Sequence, residues 1–349
     1  MSTQNKKLSE YSLNIPESEY HRRTSLSYSI LARYEREGGF SSLPQNYYDL
    51  WAPTEQTEAL LFGSAFDTLV TRGREAFDKE FISMDGPALS DKIRMVIDEL
   101  VKKGVEWEDT DGIVKVLDEL QFYPNWKTPT RIYKLIENNS EDYYRKAKNA
   151  SLNNLTVLPS GMKEKIMKCY DNLLGNELTK NLLFDDLDGR ERFFQLQFES
   201  RLDDVTYKIM CDMILVNHNS KTIDIFDLKT TGKESSDFRK SYLDWGYHIQ
   251  SWLYRMVLKN ALVGTEYEDY TISNFSFIVV SKVNDTPLVW LDDSELELER
   301  PRLRNPLTIG KEIQESYTVV VDENLNETLR RKDVPDRVNP SSFNLIAFY

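Results

Sequence analysis

Cysteine and histidine are scarce in this 349-residue chain, which has two of the first and three of the second. Cys169 and Cys211 are far apart in sequence, so a disulfide framework is not expected and both should remain reduced thiols. Two cysteines cannot build a four-cysteine iron–sulfur cluster, and three scattered histidines do not fit a typical zinc site. The sequence therefore predicts no iron–sulfur cluster and no zinc centre of the usual kind.

Long apolar runs are also missing. No window approaches the roughly 20 apolar residues that are needed to span a bilayer, and residues 1–14 lack the apolar segment of a signal peptide. We therefore expect no membrane contact and a cytoplasmic location. The chain also has no G-x-x-x-x-G-K-S/T, G-x-S-x-G or H-E-x-x-H motif, which argues against a P-loop ATPase, a serine-hydrolase elbow and a zinc protease.

Basic residues are too few to balance the acidic ones, with 44 Lys and Arg against 57 Asp and Glu and a net charge of −13. The usual nucleic-acid-binding domain is basic, so this composition argues against a surface that binds nucleic acid everywhere. A local metal site is compatible with it, because bound cations restore positive charge where a phosphate lies. The apolar fraction of 40% is typical of a globular protein.

The most informative stretch runs from residue 207 to residue 254. It begins with a strand-like run that contains Asp212, continues through six turn-forming residues, and then alternates between apolar and polar residues at 223–231. The alternation places Asp227 and Lys229 on one strand face, and a hairpin of this shape brings Asp212 close to Asp227. Two carboxylates near one lysine suit a hard divalent cation that activates water beside a phosphodiester.

A helix is predicted after this hairpin. Tyr247, Gln250 and Tyr254 have the spacing i, i+3 and i+7, so they share one face of that helix. Apolar residues on its other faces are expected to pack on the sheet: Ile249, Leu253 and Met256.

Asp212, the Asp227-Leu228-Lys229 triplet and the Tyr247-x-x-Gln250-x-x-x-Tyr254 pattern together resemble the PD-(D/E)XK nuclease superfamily. The nearest members are its RecB-like and RecE-like phage exonucleases, and the resemblance covers residues 20–78 and 190–292. It implies an α/β fold with a restriction-endonuclease-like core, in which helices flank a central mixed β-sheet. The predicted organisation is a flexible N-terminus at 1–19, a nuclease domain at 20–295 with a helical insertion at 85–190, and a C-terminal extension at 296–349.

The resemblance also implies an activity, namely a Mg²⁺-dependent DNA exonuclease of the phage recombination type. Mn²⁺ would be a substitute metal, a single-strand annealing protein would be a partner, and the bacterial host's cytoplasm would be the location. The catalytic residues would be Asp212, Asp227 and Lys229, and the lysine would orient or deprotonate the attacking water. The implied metal ligands are Asp212, Asp227, the Leu228 carbonyl and Asp67; the implied substrate-binding residues are Tyr247, Gln250 and Tyr254.

Two positions depart from the family pattern. Relatives have a metal-ligating histidine in a buried helix where this chain has Asp67, which either ligates the metal or pairs with an arginine. Relatives often carry a glutamate on the first strand of the sheet. Here that strand offers Gln195, Gln197 and Glu199.

Several alternatives are open at this stage. The Asp227–Lys229 segment would also suit a surface hairpin whose charges merely pair across strands. Within the same fold, the chain could be a structure-selective endonuclease, or a catalytically inactive nuclease-like scaffold or virion protein. A homo-oligomeric ring would reconcile an acidic exterior with DNA bound inside.

Periodicity and turn-forming residues predict the remaining elements. Helices are predicted at 55–74, 91–103, 129–138, 141–148 and 160–183, and strands at 191–200, 271–281, 287–291 and 317–321.

Overall fold

The computed structural model describes residues 6–36, 57–86, 89–185, 189–283, 286–292, 305–321 and 327–331. These residues form two compact units, one from the ranges 1–55 and 178–349 and the other from the range 56–177.

The helices and strands of the described residues are numbered in chain order. The helices are α1 (Glu17–Arg22), α2 (Tyr28–Arg36), α3 (Glu58–Thr71), α4 (Gly73–Glu80), α5 (Asp91–Lys102), α6 (Thr110–Glu119), α7 (Thr128–Ile136), α8 (Ser140–Asn153), α9 (Met162–Gly175), α10 (Glu177–Leu183), α11 (Phe238–Trp245), α12 (Tyr247–Ala261) and α13 (Pro306–Ser316). The strands are β1 (Phe81–Ser83), β2 (Thr156–Leu158), β3 (Arg190–Leu202), β4 (Val205–Asn217), β5 (Thr222–Thr231), β6 (Thr271–Ser281), β7 (Leu288–Leu291), β8 (Tyr317–Val321) and β9 (Glu327–Arg331).

The first unit is built on a five-stranded mixed sheet with the order β3-β4-β5-β6-β7. Neighbouring strands are antiparallel except β5 and β6, which are parallel and are joined through α11 and α12. A parallel pair needs such a crossover, because a tight turn cannot return the chain to the same end of the sheet. The predicted α/β class with a central mixed sheet is therefore confirmed, while the more specific restriction-endonuclease-like core stays a prediction.

Helix α12 packs across β3, β4 and β6, and α2 and α13 pack beside it. Its buried side chains include Ile249 and Leu253, as predicted, but Met256 is 37% exposed and does not pack on the sheet. Ile309 and Ile313 of α13 are buried in the same core. Burial of a large aliphatic side chain contributes about 1.5–3 kcal/mol, so α13 is an integral part of this unit. Of the predicted C-terminal extension, the largely apolar residues 343–349 lie outside the described residues.

The prediction of a flexible N-terminus at 1–19 is wrong for residues 6–19. The segment contains a 3-10 helix at Leu8–Tyr11, and Leu8 is completely buried in the core of the first unit. The Leu13 N–H donates to the Gln197 carbonyl at 2.9 Å, and the Gln197 N–H donates to Ser12 Oγ at 3.0 Å. Polar composition suggested disorder, but one apolar side chain and these bonds to β3 hold the segment in place.

The second unit is mainly helical. Helices α5 to α8 enclose a core of their own that includes Ile97, Leu100 and Leu117, α3 packs on α9, and β1 and β2 form a short parallel pair. The predicted insertion, 85–190, overlaps this unit, which begins earlier and ends earlier in the chain. The beginning differs because α3 packs on α9, about 100 residues later in the chain, and Asp78 of α4 pairs with Lys163 of α9.

Most predicted helices of the second unit are present, with two differences. The predicted helix at 160–183 is divided into α9 and α10, because Asn176 adopts an extended conformation between them. Helices α4 and α6 were not predicted, although Asp109 caps α6 by accepting a hydrogen bond from the Gly112 N–H at 2.9 Å. In the described part of the chain, no helix is long and apolar enough to cross a bilayer.

Candidate active site

The site is located where β4 and β5 separate. Their antiparallel pairing ends with Met213 opposite Phe226, so Asp212 and Asp227 occupy the next pair of positions. Here the Leu228 N–H donates a 2.7 Å hydrogen bond to Asp212 Oδ2. Strand β5 continues past this point, paired only with β6 as far as Thr231. The structure thus brings the two predicted carboxylates together at a gap in the sheet.

Asp227 is almost completely buried, with 4% of its side chain exposed. The Gln250 amide Nε2 donates to its Oδ1, and the Lys229 ammonium forms an ion pair with its Oδ2. A buried carboxylate needs such partners, because desolvation otherwise penalises its charge strongly. Asp227 is therefore held in one orientation by a neutral donor from α12 and a cation from its own strand.

Lys229 is the cation of the site, and 21% of its side chain is exposed. Burial alone would lower its pKa, but the Asp227 carboxylate, the Tyr247 hydroxyl and the Asp212 carboxylate outweigh burial, and the pKa is raised. Its Nζ also lies 5.0 Å from the centroid of the Tyr247 ring and 5.9 Å from that of Phe277. The ammonium is thus enclosed by two carboxylates and two aromatic rings, which favour its charged form.

Helix α12 supplies Tyr247, Gln250 and Tyr254 from one face, as predicted, but only Tyr247 is partly exposed. Gln250 is 2% exposed and Tyr254 is 9% exposed, with the Tyr254 ring packed edge-on against Phe275. Direct substrate contact by these two side chains does not fit such burial. Gln250 instead positions Asp227, and Tyr254 belongs to the core that supports the helix.

A second buried cluster fixes α11 and α12 to the sheet. Asp292, at the end of β7, accepts hydrogen bonds from the Tyr242 hydroxyl at 2.5 Å, from Ser251 Oγ and from the Arg255 guanidinium. These three donors lie on α11 and α12, about 40 to 50 residues earlier in the chain. Arg255 is thus committed to a buried carboxylate. Sequence spacing gave no signal for this network.

The structure distinguishes between two residues that could replace the glutamate that relatives carry on the first strand. Glu199 lies opposite Lys208, four residues along β4 from Asp212, and accepts hydrogen bonds from Arg23 Nε and Ser25 Oγ, each at 2.5 Å. Gln195 falls opposite Asp212 in the β3–β4 register. Its φ of 54° is left-handed and interrupts the ladder at this point, and such strain in a residue other than glycine is typical of functional sites. Gln195 is therefore the better-placed candidate.

Asp67 lies on α3 in the second unit, whereas Asp212 and Asp227 lie in the first. The side chain is half-buried in this otherwise apolar helix. Its role as a metal ligand stays a prediction.

The oxygen atoms of Asp212, Asp227 and the Leu228 carbonyl are suitable ligands for a hard divalent cation. In the described ranges, no three His, Cys, Asp or Glu side chains cluster as they would around a protein-only metal site. Mg²⁺, however, is usually held by one or two carboxylates together with waters and substrate phosphates. Asp212 and Asp227 supply that number. The Leu228 carbonyl points to the same side of β5 as its N–H, toward Asp212, because both groups of a strand residue face one neighbour.

The buried surroundings of this pair contain one further oxygen with unused bonding capacity. Gln250 Oε1 is buried and accepts no hydrogen bond in the described part of the chain. The nearby Cys211 thiol is also buried, and burial together with the two aspartates raises its pKa well above the usual value. Cys211 therefore stays a neutral thiol and leaves the carboxylates as the anionic groups here.

Comparison with known proteins found resemblance of structure but not of sequence. No protein-family model and no curated protein matches the chain. A crystal structure from Eubacterium rectale described as a "Putative exonuclease" aligns with 95% of this chain and 92% of its own, at 11% identity and a TM-score of 0.38.

Proposed function

We propose that this chain is a metal-dependent deoxyribonuclease that hydrolyses phosphodiester bonds from DNA ends. The observation that carries the proposal is the cluster of Asp212, Asp227 and Lys229 where β4 and β5 separate. A charge pair with a purely structural role would not need a second carboxylate beside it. With Asp212, the cluster has two negative charges against the one positive charge of Lys229, and this excess negative charge favours a bound cation.

The proposed metal ligands are Asp212, Asp227 and the Leu228 carbonyl, with Mg²⁺ as the physiological ion and Mn²⁺ as a substitute. A bound cation would neutralise charge on the scissile phosphate and lower the pKa of an attacking water. Within the protein, Gln250 keeps Asp227 oriented, because its amide occupies the carboxylate oxygen that Lys229 does not contact. Lys229 is the more exposed member of the pair, so substrate and water would approach from its side.

Lys229 is proposed to orient the attacking water and to stabilise the negative charge that develops on the phosphate. Its ammonium is fixed between Asp227 and the Tyr247 ring, with a fifth of the side chain exposed. A preorganised cation of this kind stabilises a transition state without reorganising at the moment of reaction. Removal of such a group typically costs about 100- to 10,000-fold in rate.

The test is a cleavage assay with end-labelled linear duplex DNA in Mg²⁺, in Mn²⁺ and in EDTA. Cleavage is expected only with the metal ions and is expected to be lost in Lys229→Met and Asp212→Asn. Lys221→Met is the matched control, because Lys221 lies at the far end of the β4–β5 hairpin and forms an exposed ion pair with Asp269. Wild-type protein without activity toward any DNA would contradict the proposal and favour an inactive scaffold.

The choice of exonuclease over endonuclease is tested with covalently closed circles. We expect linear duplex to be degraded from its ends while closed circles stay intact. Closed circles cut as fast as linear DNA would favour the structure-selective endonuclease. A single-strand annealing partner and a ring of subunits stay predictions, and sedimentation of the purified chain would test the second of them.

A further inference from the structure

An aromatic rim lies beside the candidate active site in the first unit, and it consists of Tyr28, Arg36, Trp245 and Tyr247. The Tyr247 ring, 5.0 Å from the Lys229 ammonium, lies 6.1 Å from the Tyr28 ring. The Tyr28 hydroxyl donates a 2.8 Å hydrogen bond to the Trp245 carbonyl. Contacts therefore lead without interruption from the carboxylates of the site to Trp245.

Trp245 is the exposed member of this rim. It ends α11, and 51% of it is accessible to solvent, although a tryptophan is usually well buried. The following residue, Gly246, has a φ of 68° and reverses the chain into α12, a conformation that favours glycine. The turn and the Tyr28 hydrogen bond hold the Trp245 backbone in place, so the exposed ring is displayed by a rigid support.

A cation accompanies this ring. The Arg36 guanidinium carbon lies 4.7 Å from the centroid of the Trp245 ring, within the range of a cation–π contact. Arg36 is exposed, and it has no carboxylate partner among the residues the structure describes. The rim therefore presents an aromatic face and an exposed positive charge together, in a chain whose net charge is −13.

We propose that Trp245 and Arg36 bind an unpaired nucleotide of the strand whose phosphodiester lies at Lys229. The Trp245 ring stacks on the base, and the Arg36 guanidinium contacts the phosphate. Aromatic stacking combined with basic side chains is how proteins bind single-stranded nucleic acid without reading its sequence. The inference rests on the proposed nuclease function and names its substrate class at the point of contact, a single strand or an unpaired DNA end.

The experiment measures binding in EDTA, so that no cleavage occurs. Full-length protein is titrated into a fluorescein-labelled oligothymidylate of twelve nucleotides and into a strand of equal length whose residues lack bases. Trp245→Ala is expected to weaken oligothymidylate binding about 10-fold, since loss of one base–aromatic stack typically weakens binding roughly 5- to 150-fold. Binding of the abasic strand should not change, because that strand has no base to stack.

Two further variants separate the contributions of stacking and charge. Arg36→Gln is expected to weaken the binding of both strands, since both carry phosphates. Trp126→Ala is the matched control, because Trp126 is 44% exposed, lies in the second unit and stacks on Tyr123. Circular dichroism verifies that each variant is folded, and Trp245→Phe, which keeps an aromatic ring, should retain most of the affinity.

The outcomes distinguish this inference from the proposed function. Unchanged oligothymidylate affinity in Trp245→Ala would overturn the stacking role, even if the wild-type protein degrades DNA in Mg²⁺. Equal losses for the oligothymidylate and the abasic strand would also overturn it. An inactive wild-type protein that still loses oligothymidylate affinity in Trp245→Ala would contradict only the nuclease function.

Discussion

Asp212 and Asp227 should respond differently to neutralisation, although both are proposed metal ligands. In Asp227→Asn, the Lys229 ammonium loses the carboxylate with which it pairs, and the new amide Nδ2 competes for the same space. In Asp212→Asn, an amide oxygen is still available to accept the hydrogen bond from the Leu228 N–H. We therefore expect Asp227→Asn to be much less stable than Asp212→Asn in the absence of metal.

The magnitudes follow from burial and charge. Removing one partner of a buried ion pair costs about 3–5 kcal/mol of folding free energy, and the partial exposure of Lys229 reduces this to roughly 2–3 kcal/mol. For Asp212, repulsion by Asp227 and attraction by Lys229 are each about 3 kcal/mol for charges roughly 5 Å apart at an effective dielectric constant of about 20. These two contributions have opposite signs, so Asp212→Asn should change stability by less than about 1 kcal/mol.

Urea unfolding in EDTA measures both effects, and calorimetric titration with Mg²⁺ then compares metal affinity. Both variants should bind Mg²⁺ more weakly than the wild type, because each loses one carboxylate ligand. Asp269→Asn, whose carboxylate forms an exposed ion pair with Lys221, is the control for loss of one negative charge. Equal stability losses in Asp212→Asn and Asp227→Asn, or a more stable Asp227→Asn, would refute the reasoning.

Three further predictions concern single residues. Burial lowers the pKa of Lys208 to about 8 from the usual 10.5, so the folded chain binds fewer protons than the unfolded chain between these pH values. The unfolding free energy of wild type relative to Lys208→Met should therefore rise with pH across that window, by up to about 3 kcal/mol, and a flat difference would contradict the low pKa. Gln250→Leu leaves a buried oxygen of Asp227 without its donor, so urea unfolding should show a loss of about 1.5–3 kcal/mol; an unchanged midpoint would remove Gln250 from its positioning role. Gln195→Gly should be about 1 kcal/mol more stable than Gln195→Ala, because only glycine adopts a φ of 54° without strain; the reverse order would mean that this backbone relaxes.

The sheet could be predicted well from the sequence because its strands are long and strongly patterned. The strands expected at 271–281 and 317–321 coincide with β6 and β8, and β4 and β5 extend beyond their predicted bounds by only one or two residues. Short elements carry too little pattern for such prediction. Strands β1 and β2 have three residues each, and their pairing joins segments about 75 residues apart.

The composition of the site was easier to predict than the role of each residue in it. Alternation placed Asp227 and Lys229 on one face, and a hairpin brought Asp212 to them. The β3–β4 register decides between Gln195 and Glu199, and that register depends on pairing across the whole strand. The burial of Gln250 likewise depends on how α12 lies on the sheet, which its own periodicity cannot specify. Contacts of this kind join segments that are distant in the chain, so local sequence patterns do not predict them.

Because the chain is acidic overall, we expect it to contact few DNA phosphates. Several basic residues of the second unit are already paired with carboxylates, as Lys148 is with Glu106 and Lys163 with Asp78. At the aromatic rim Arg36 supplies positive charge, and Lys229, although paired with Asp227, lies where the scissile phosphate is proposed to bind. With about two phosphate contacts, the logarithm of single-strand affinity should fall with the logarithm of salt concentration at a slope of about −1.4. Fluorescence titrations at several salt concentrations measure this slope. A value of about −5, as expected for some seven phosphate contacts, would place DNA on a much larger basic surface than this rim provides.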